Sequence, residues 1–227
     1  MNNWMMGAVA TVAAGSFSIG AQAAAFQNGS FELPNTSASI LLAITSVAQA
    51  PTGWIPGGAL GGFALFREST GTFAGLVAHE GIHLIGFGGN GSAGATIEQV
   101  FDTVPALSYT VSFYTTAQQL GNGPQSYKAE AFTGDGVTSL GSDTGAIPAV
   151  SSWANHSFVF VASGSSSLLR FTDTSNGAAA GSLNWALDNV TISAVPEPGA
   201  WAMLLAGLGC LAMRRRRIAS HPSPVAS

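Results

Sequence analysis

The chain has 227 residues, 47% of them hydrophobic and only 8% charged, with a formal net charge of −4. It is long enough to bury a sizeable core, too apolar for a disordered chain, and too acidic for a nucleic-acid binder, whose footprint is basic. A single cysteine, Cys210, excludes a disulfide framework and a Cys-rich zinc site.

Residues 5–25 form an apolar run closing on small residues, with Ala-x-Ala choices at Ala21/Ala23 and Ala23/Ala25. This is the form of a secretory signal peptide over residues 1–25, although no Lys or Arg precedes the run.

Residues 26–194 contain three basic residues (Arg67, Lys128, Arg170) and ten acidic ones, a net charge of −7. Their pattern is of short alternating runs bounded by Gly, Asn, Ser and Pro, which predicts strands. Ile40 to Ala48 reads as strand or helix. Ile82, Leu84 and Gly86 make a further run, as do Ile97, Gln99 and Phe101. Tyr109, Val111 and Phe113 alternate with polar residues. Phe158 to Val161 is apolar on both faces, which predicts a central strand. Leu169 and Phe171 share a face opposite Leu168 and Arg170. Turn signals recur at Gly57-Gly58, Gly88 to Gly91, Gly121 to Pro124, Gly134 to Gly136, Ser163-Gly164 and Asn176-Gly177. About ten short strands so spaced predict an all-β, two-sheet sandwich or jelly roll.

His79-Glu80-Gly81-Ile82-His83 matches H-E-x-x-H, with Gly86 three residues further on. Zinc chemistry needs that motif on a helix, where residues four apart share a face and reach one ion. Gly81 disfavours helix by about 1 kcal/mol relative to Ala, further glycines follow at once, and Gly89 stands where a third ligand would be. The residues therefore read as a loop entering a strand, with both histidines near the surface. A secreted zinc metalloprotease using His79, Glu80 and His83 is the alternative.

Near the end of the span, Trp185 and Leu187 share one parity and Val190 and Ile192 the other, so the apolar phase slips at Asp188-Asn189. The slip predicts a bulge that turns Asp188 inward. A buried carboxylate needs hydrogen-bond donors or a cation.

Five pieces of this span occur in an order that resembles the galactose-binding-like jelly rolls of carbohydrate-binding modules and choice-of-anchor secreted bacterial proteins. They are Phe26 to Glu32, which the resemblance makes the first strand, Gly53-Trp54, Glu80-Gly81, Ile97 to Phe101 before Tyr109 to Phe113, and Leu187 to Ile192. Ala106 departs from the pattern, because a Gly is usual in that turn. The resemblance implies a structural Ca²⁺ held by Glu32 and Asp188 with backbone carbonyls near Asn28, an oxygen donor set that suits this ion.

The tail reads Val195-Pro196-Glu197-Pro198-Gly199, then 14 uncharged residues from Ala200 to Met213. Four consecutive arginines follow, Arg214, Arg215, Arg216 and Arg217, and then a ten-residue end, 218–227, expected to be disordered. As a helix the apolar run spans about 21 Å, short of a hydrocarbon core of about 30 Å, a gap that tilt and arginine snorkelling close. Arginines are retained on the cytoplasmic side, so the body faces outward. This three-part order resembles the PEP-CTERM sorting domain of Gram-negative exopolysaccharide producers, over residues 195–217. The resemblance implies recognition of Pro196-Glu197-Pro198 by an exosortase, with passing insertion of the helix in the inner membrane.

Together these readings predict an exported, non-enzymatic surface or exopolysaccharide-matrix protein that binds glycan, with no nucleic-acid partner. Trp54 and Trp153, in loop-like settings, are the aromatic platform candidates, and Trp185 reads as core.

Overall fold

The computed structural model describes residues 25–33, 41–43, 47–58, 63–67, 77–88, 93–117, 125–147, 152–175 and 185–195. Eleven strands are present among these residues: β1 (Leu41–Ala43), β2 (Ile55–Gly58), β3 (Phe63–Arg67), β4 (His83–Phe87), β5 (Ala95–Asp102), β6 (Ser108–Ala117), β7 (Gln125–Thr133), β8 (Ser139–Ile147), β9 (Ala154–Val161), β10 (Ser166–Asp173) and β11 (Trp185–Ala194). They form a six-stranded sheet in the order β1-β3-β4-β11-β6-β9 and a five-stranded sheet in the order β2-β5-β10-β7-β8. The residue alternation explains the layering. In β5, Ala95, Ile97, Gln99 and Phe101 are buried, whereas Thr96, Glu98 and Val100 face out. Such a period of two places one row of each strand between the sheets.

Phe31, Phe87, Phe101, Phe113, Phe160, Phe171 and Trp185 fill the interior. Phe87 stacks on Trp185 with centroids 4.1 Å apart. A hydrogen-bonded chain also ties the two layers. Thr115 on β6 bonds His156 Nε2 on β9 at 2.8 Å, His156 Nδ1 bonds the Tyr127 hydroxyl on β7 at 2.8 Å, and that hydroxyl donates to Asp143 Oδ2 on β8 at 2.8 Å. Burial pushes the His156 pKa down, against the opposing pull of Asp143.

Two expectations need correction. Phe26 to Glu32 is not a strand: the segment turns at Gly29-Ser30, with Asn28 and Phe31 at positive φ. Of the stretch left open between strand and helix, Leu41–Ala43 is β1 and Val47–Gln49 a 3-10 turn. And β9 is an edge strand, not a central one, with Val159 58% and Val161 52% exposed. A strand apolar on both faces indicates two apolar rows but not two neighbours.

The expected phase slip is present. The β11–β6 register shifts between Asp188 and Thr191, and Asn189 has φ 47°. Ala106 sits at φ 65°, a left-handed position that glycine occupies without a Cβ penalty.

Candidate functional site

Two places gather polar chemistry. The first is the loop entering β4. Asp188 is fully buried beside the bulge. Its Oδ2 accepts the backbone N–H groups of His79 (2.7 Å) and Glu80 (3.0 Å), and its Oδ1 accepts that of Asn189 (2.6 Å). From the other end of the domain, Glu32 Oε1 accepts the N–H groups of Ile82 and His83, both at 2.8 Å, and Oε2 lies 3.0 Å from His83 Nδ1. The first and last segments thus meet over one loop, as a jelly roll requires. Burial pushes the Asp188 pKa up to about 7 despite its three N–H donors, and the Glu32 charge adds to the rise. Burial also pushes Glu32 up, but the His83 ring and the N–H groups of Ile82 and His83 outweigh it and leave its pKa below the ordinary value.

This arrangement answers two sequence expectations. Residues 79–82 are a bend and turn, and His83 opens a strand, so the helix a zinc protease needs does not form. His79 stacks on Tyr114 at 3.6 Å, Glu80 is exposed, and His83 faces Glu32. Among the described residues no three His, Cys, Asp or Glu side chains come together as a ligand group. The loop-into-strand reading therefore holds, but His83 is fully buried and His79 half-buried, not at the surface. Gly81 has φ 67°, and a Cβ there would collide with the Glu32 carboxylate. The glycine that breaks the motif as a helix is what lets the loop wrap a carboxylate.

The second expectation is Ca²⁺. Glu32 and Asp188 do converge, but their oxygens meet N–H donors, whose positive ends repel a cation. The Asn28 carbonyl accepts the Trp54 indole N–H (2.9 Å) and the Phe31 N–H (3.1 Å). Asn28 Nδ2 donates to the Leu33 and Thr52 carbonyls, and its Oδ1 accepts the Leu33 N–H. In this arrangement N–H donors already bond oxygens that Ca²⁺, with its six to eight oxygen ligands, would use. Hydrogen-bond donors, the other partner that a buried carboxylate allows, are the ones present.

The aromatic candidates also divide. Trp54 is 2% exposed, packed between Phe26 and Phe31, and is core. Trp153 is half-buried, lies edge-on to His79, and donates its indole N–H to the Val77 carbonyl at 2.9 Å. It pins the same loop. Trp185 is core, as expected.

The second place is a groove of about 520 Å³ on the outer face of the five-stranded sheet. Register builds it in rows. Glu98, Arg170 and Glu130 lie directly across β5, β10 and β7; Thr96, Thr172 and Lys128 form the next row. Gly57 and Gly58 of β2 close one side. Arg170 Nε donates to Glu98 Oε2 at 2.6 Å, and its guanidinium lies 4.8 Å over the Phe132 ring. Lys128 Nζ is 2.8 Å from Glu130 Oε2, and the Ser139 hydroxyl donates to Glu130 Oε1. Two of the three basic residues in the span 26–194 lie in this groove. No sequence expectation identified it. The signal was outward parity: Arg170 opposes Leu169 and Phe171, and Glu98 opposes Ile97 and Gln99.

Most of the sorting motif falls beyond the described part of the chain. Pro196, Glu197, Pro198, Arg214, Arg215, Arg216 and Arg217 all lie outside the described residues, as do residues 1–24 and 218–227. Val195 is described, and its N–H bonds the Ser108 carbonyl. Among the described residues no helix is long and apolar enough to cross a membrane.

Comparison with solved structures finds the same antiparallel two-sheet jelly-roll fold in carbohydrate-binding modules. The chain is similar to TmCBM61, solved in complex with β-1,4-galactotriose, with TM-score 0.50 and 13% identity over 75% of this chain and 97% of that one. It is also similar to the CBM22-1 xylan-binding domain of Paenibacillus barcinonensis Xyn10C, with TM-score 0.45 and 15% identity over 69% and 94%. A CBM4 structure gives TM-score 0.44 and 16% identity over 74% and 99%. At such identities the likeness, carried by the first of these, establishes the fold. Residues 194–217 match the PEP-CTERM protein-sorting motif, so the chain carries the signal of an exported, sorted protein. No curated protein matches the sequence.

Proposed function

We propose that the protein is a non-enzymatic, polysaccharide-binding component of a Gram-negative cell surface or extracellular matrix. An exosortase receives it through Pro196-Glu197-Pro198, while the apolar segment before Arg214, Arg215, Arg216 and Arg217 engages the inner membrane. The observation that carries the binding reading is the groove. It concentrates carboxylate, guanidinium, ammonium and hydroxyl groups on one sheet face of a domain that is otherwise poor in charge. Those groups donate to and accept from sugar hydroxyls. Glycoside hydrolysis asks for a carboxyl that delivers a proton, whereas Glu98 and Glu130 each have a cation at hydrogen-bond distance, at 2.6 and 2.8 Å. A binding role needs no such proton.

The test is a glycan array probed with the purified exported protein and with a Glu98→Ala/Arg170→Ala variant. Retention of one or more glycans by the wild type, lost in the variant, is expected. Retention that is equal in both moves the site elsewhere.

A further inference from the structure

The groove combines an evenly balanced charge with an acidic surrounding, and this sets what it takes. Resting on the reading of the groove as a glycan site, we infer that its ligand is a neutral, hydroxyl-rich polysaccharide and that acidic polysaccharides are excluded. Three observations carry this.

First, each cation in the groove is already paired. Arg170 Nε is bonded to Glu98, and Lys128 Nζ to Glu130. A ligand carboxylate would have to displace a protein carboxylate and leave it beside itself, and like charges in one site repel. Two carboxylates and two cations give the groove no net charge with which to draw an anion. The domain around it is acidic, with a net charge of −7 over residues 26–194.

Second, the pairing leaves the hydrogen-bonding capacity that sugar hydroxyls use. The two Nη groups of Arg170 are not consumed by its Nε bond, and a guanidinium has five N–H donors in a fixed fork. Glu98 engages the arginine through one oxygen only. Thr96 and Thr172 add two hydroxyls in the adjacent row. Donors and acceptors are thus interleaved, as vicinal diols need.

Third, the floor is pre-organised. Arg170 is braced by Phe132 beneath it and by Glu98 beside it. Five strands at about 4.8 Å spacing give the face a width of about 19 Å, long enough for an extended chain lying across the strands.

The test is affinity electrophoresis of the purified full-length chain in gels containing galactan, mannan or arabinoxylan as neutral polymers, and polygalacturonate or alginate as acidic ones. The ion pairs are partly exposed, where such pairs contribute about 0–1 kcal/mol, so substitutions there leave the fold intact, and melting curves check this. Retardation by at least one neutral polymer is expected, changing less than about twofold between 0.05 and 0.5 M salt because no net charge is screened. Arg170→Gln should weaken that retardation about tenfold. The Glu98→Gln/Glu130→Gln variant, with both cations released, should gain retardation by polygalacturonate that 0.5 M salt removes. Wild-type retardation by either acidic polymer, with or without a neutral one, overturns the inference and leaves glycan binding standing. Retardation by none of the five overturns both.

Discussion

Replacing Asp188 by Asn separates the two forces that act on that carboxyl. Burial alone raises its pKa, and three N–H donors lower it, with the balance at about 7. Against an unfolded value near 3.9, that rise corresponds to about 4 kcal/mol, at 1.36 kcal/mol per pH unit. The sign follows from linkage. Between about pH 4 and pH 7 the folded state binds more protons than the unfolded state, so stability falls as pH rises through that window, by up to about 1.4 kcal/mol per pH unit. It is level above pH 7. The Asn variant carries no such pH dependence. It can present its oxygen to His79 and Glu80, but its amide then faces the Asn189 N–H, and one unpaired buried donor costs about 1–3 kcal/mol. The variant should therefore be less stable than wild type near pH 4.5, and more stable by about 1–3 kcal/mol at pH 8, with the curves crossing at about pH 5.5. At about 2–4 °C per kcal/mol for a domain of this size, the relative melting temperatures should swing by about 6–13 °C between pH 4.5 and 8. Urea unfolding followed by tryptophan fluorescence from pH 4.5 to 8 reads this directly, and the wild-type-minus-variant difference cancels the titration of His156. A gap that stays constant with pH, or one that grows in favour of wild type as pH rises, would show that the N–H donors outweigh burial and would refute the reasoning.

Other outcomes follow from the same geometry. His83→Ala should lower stability by about 2–4 kcal/mol in denaturant titration, because it opens a buried hole and strips Glu32 of one partner; zinc bound stoichiometrically in the wild type and lost with His79→Ala/His83→Ala would restore the metalloprotease alternative. Millimolar Ca²⁺ added to chelator-treated protein should leave the melting temperature within about 1 °C, since native-state binding would raise it by several degrees. Gly81→Ala should cost more than about 1 kcal/mol, as its positive φ and the neighbouring Glu32 both oppose a Cβ. Deleting residues 195–227 should release the domain into the medium, seen by blotting the culture supernatant; retention with the membrane fraction would count against the sorting role of the tail.

Local periodicity was enough to read most of the strands, because burial of one face writes a two-residue repeat into each. The slip at Asp188-Asn189 was readable for the same reason. The partners of Glu32 and Asp188 were not. Backbone N–H groups carry no residue identity, so the amides of residues 79–83 that satisfy Glu32 and Asp188 leave no mark beyond Gly81. His83 looked like a surface histidine because its neighbours in sequence are a loop; it is buried at the start of β4, where Glu32, 51 residues away, accepts its N–H. The groove depends on register between strands far apart in the chain, β5 against β10 and β10 against β7. Parity shows that Glu98 and Arg170 point outward, but only pairing sets them side by side.

The position of β11 has a mechanical consequence. This strand lies inside the six-stranded sheet, bonded to β4 on one side and β6 on the other, and the sorting motif begins at residue 194, where the strand ends. Val195 still donates to the Ser108 carbonyl, so the bonding of the ladder extends through the last described residue. Ladder bonds between antiparallel strands run across the strand axis. A pull applied through the tail along β11 therefore strains the whole ladder from Trp185 to Ala194 in shear, rather than peeling its bonds off one at a time. Such a force is therefore borne by the middle of the sheet and not by its edge.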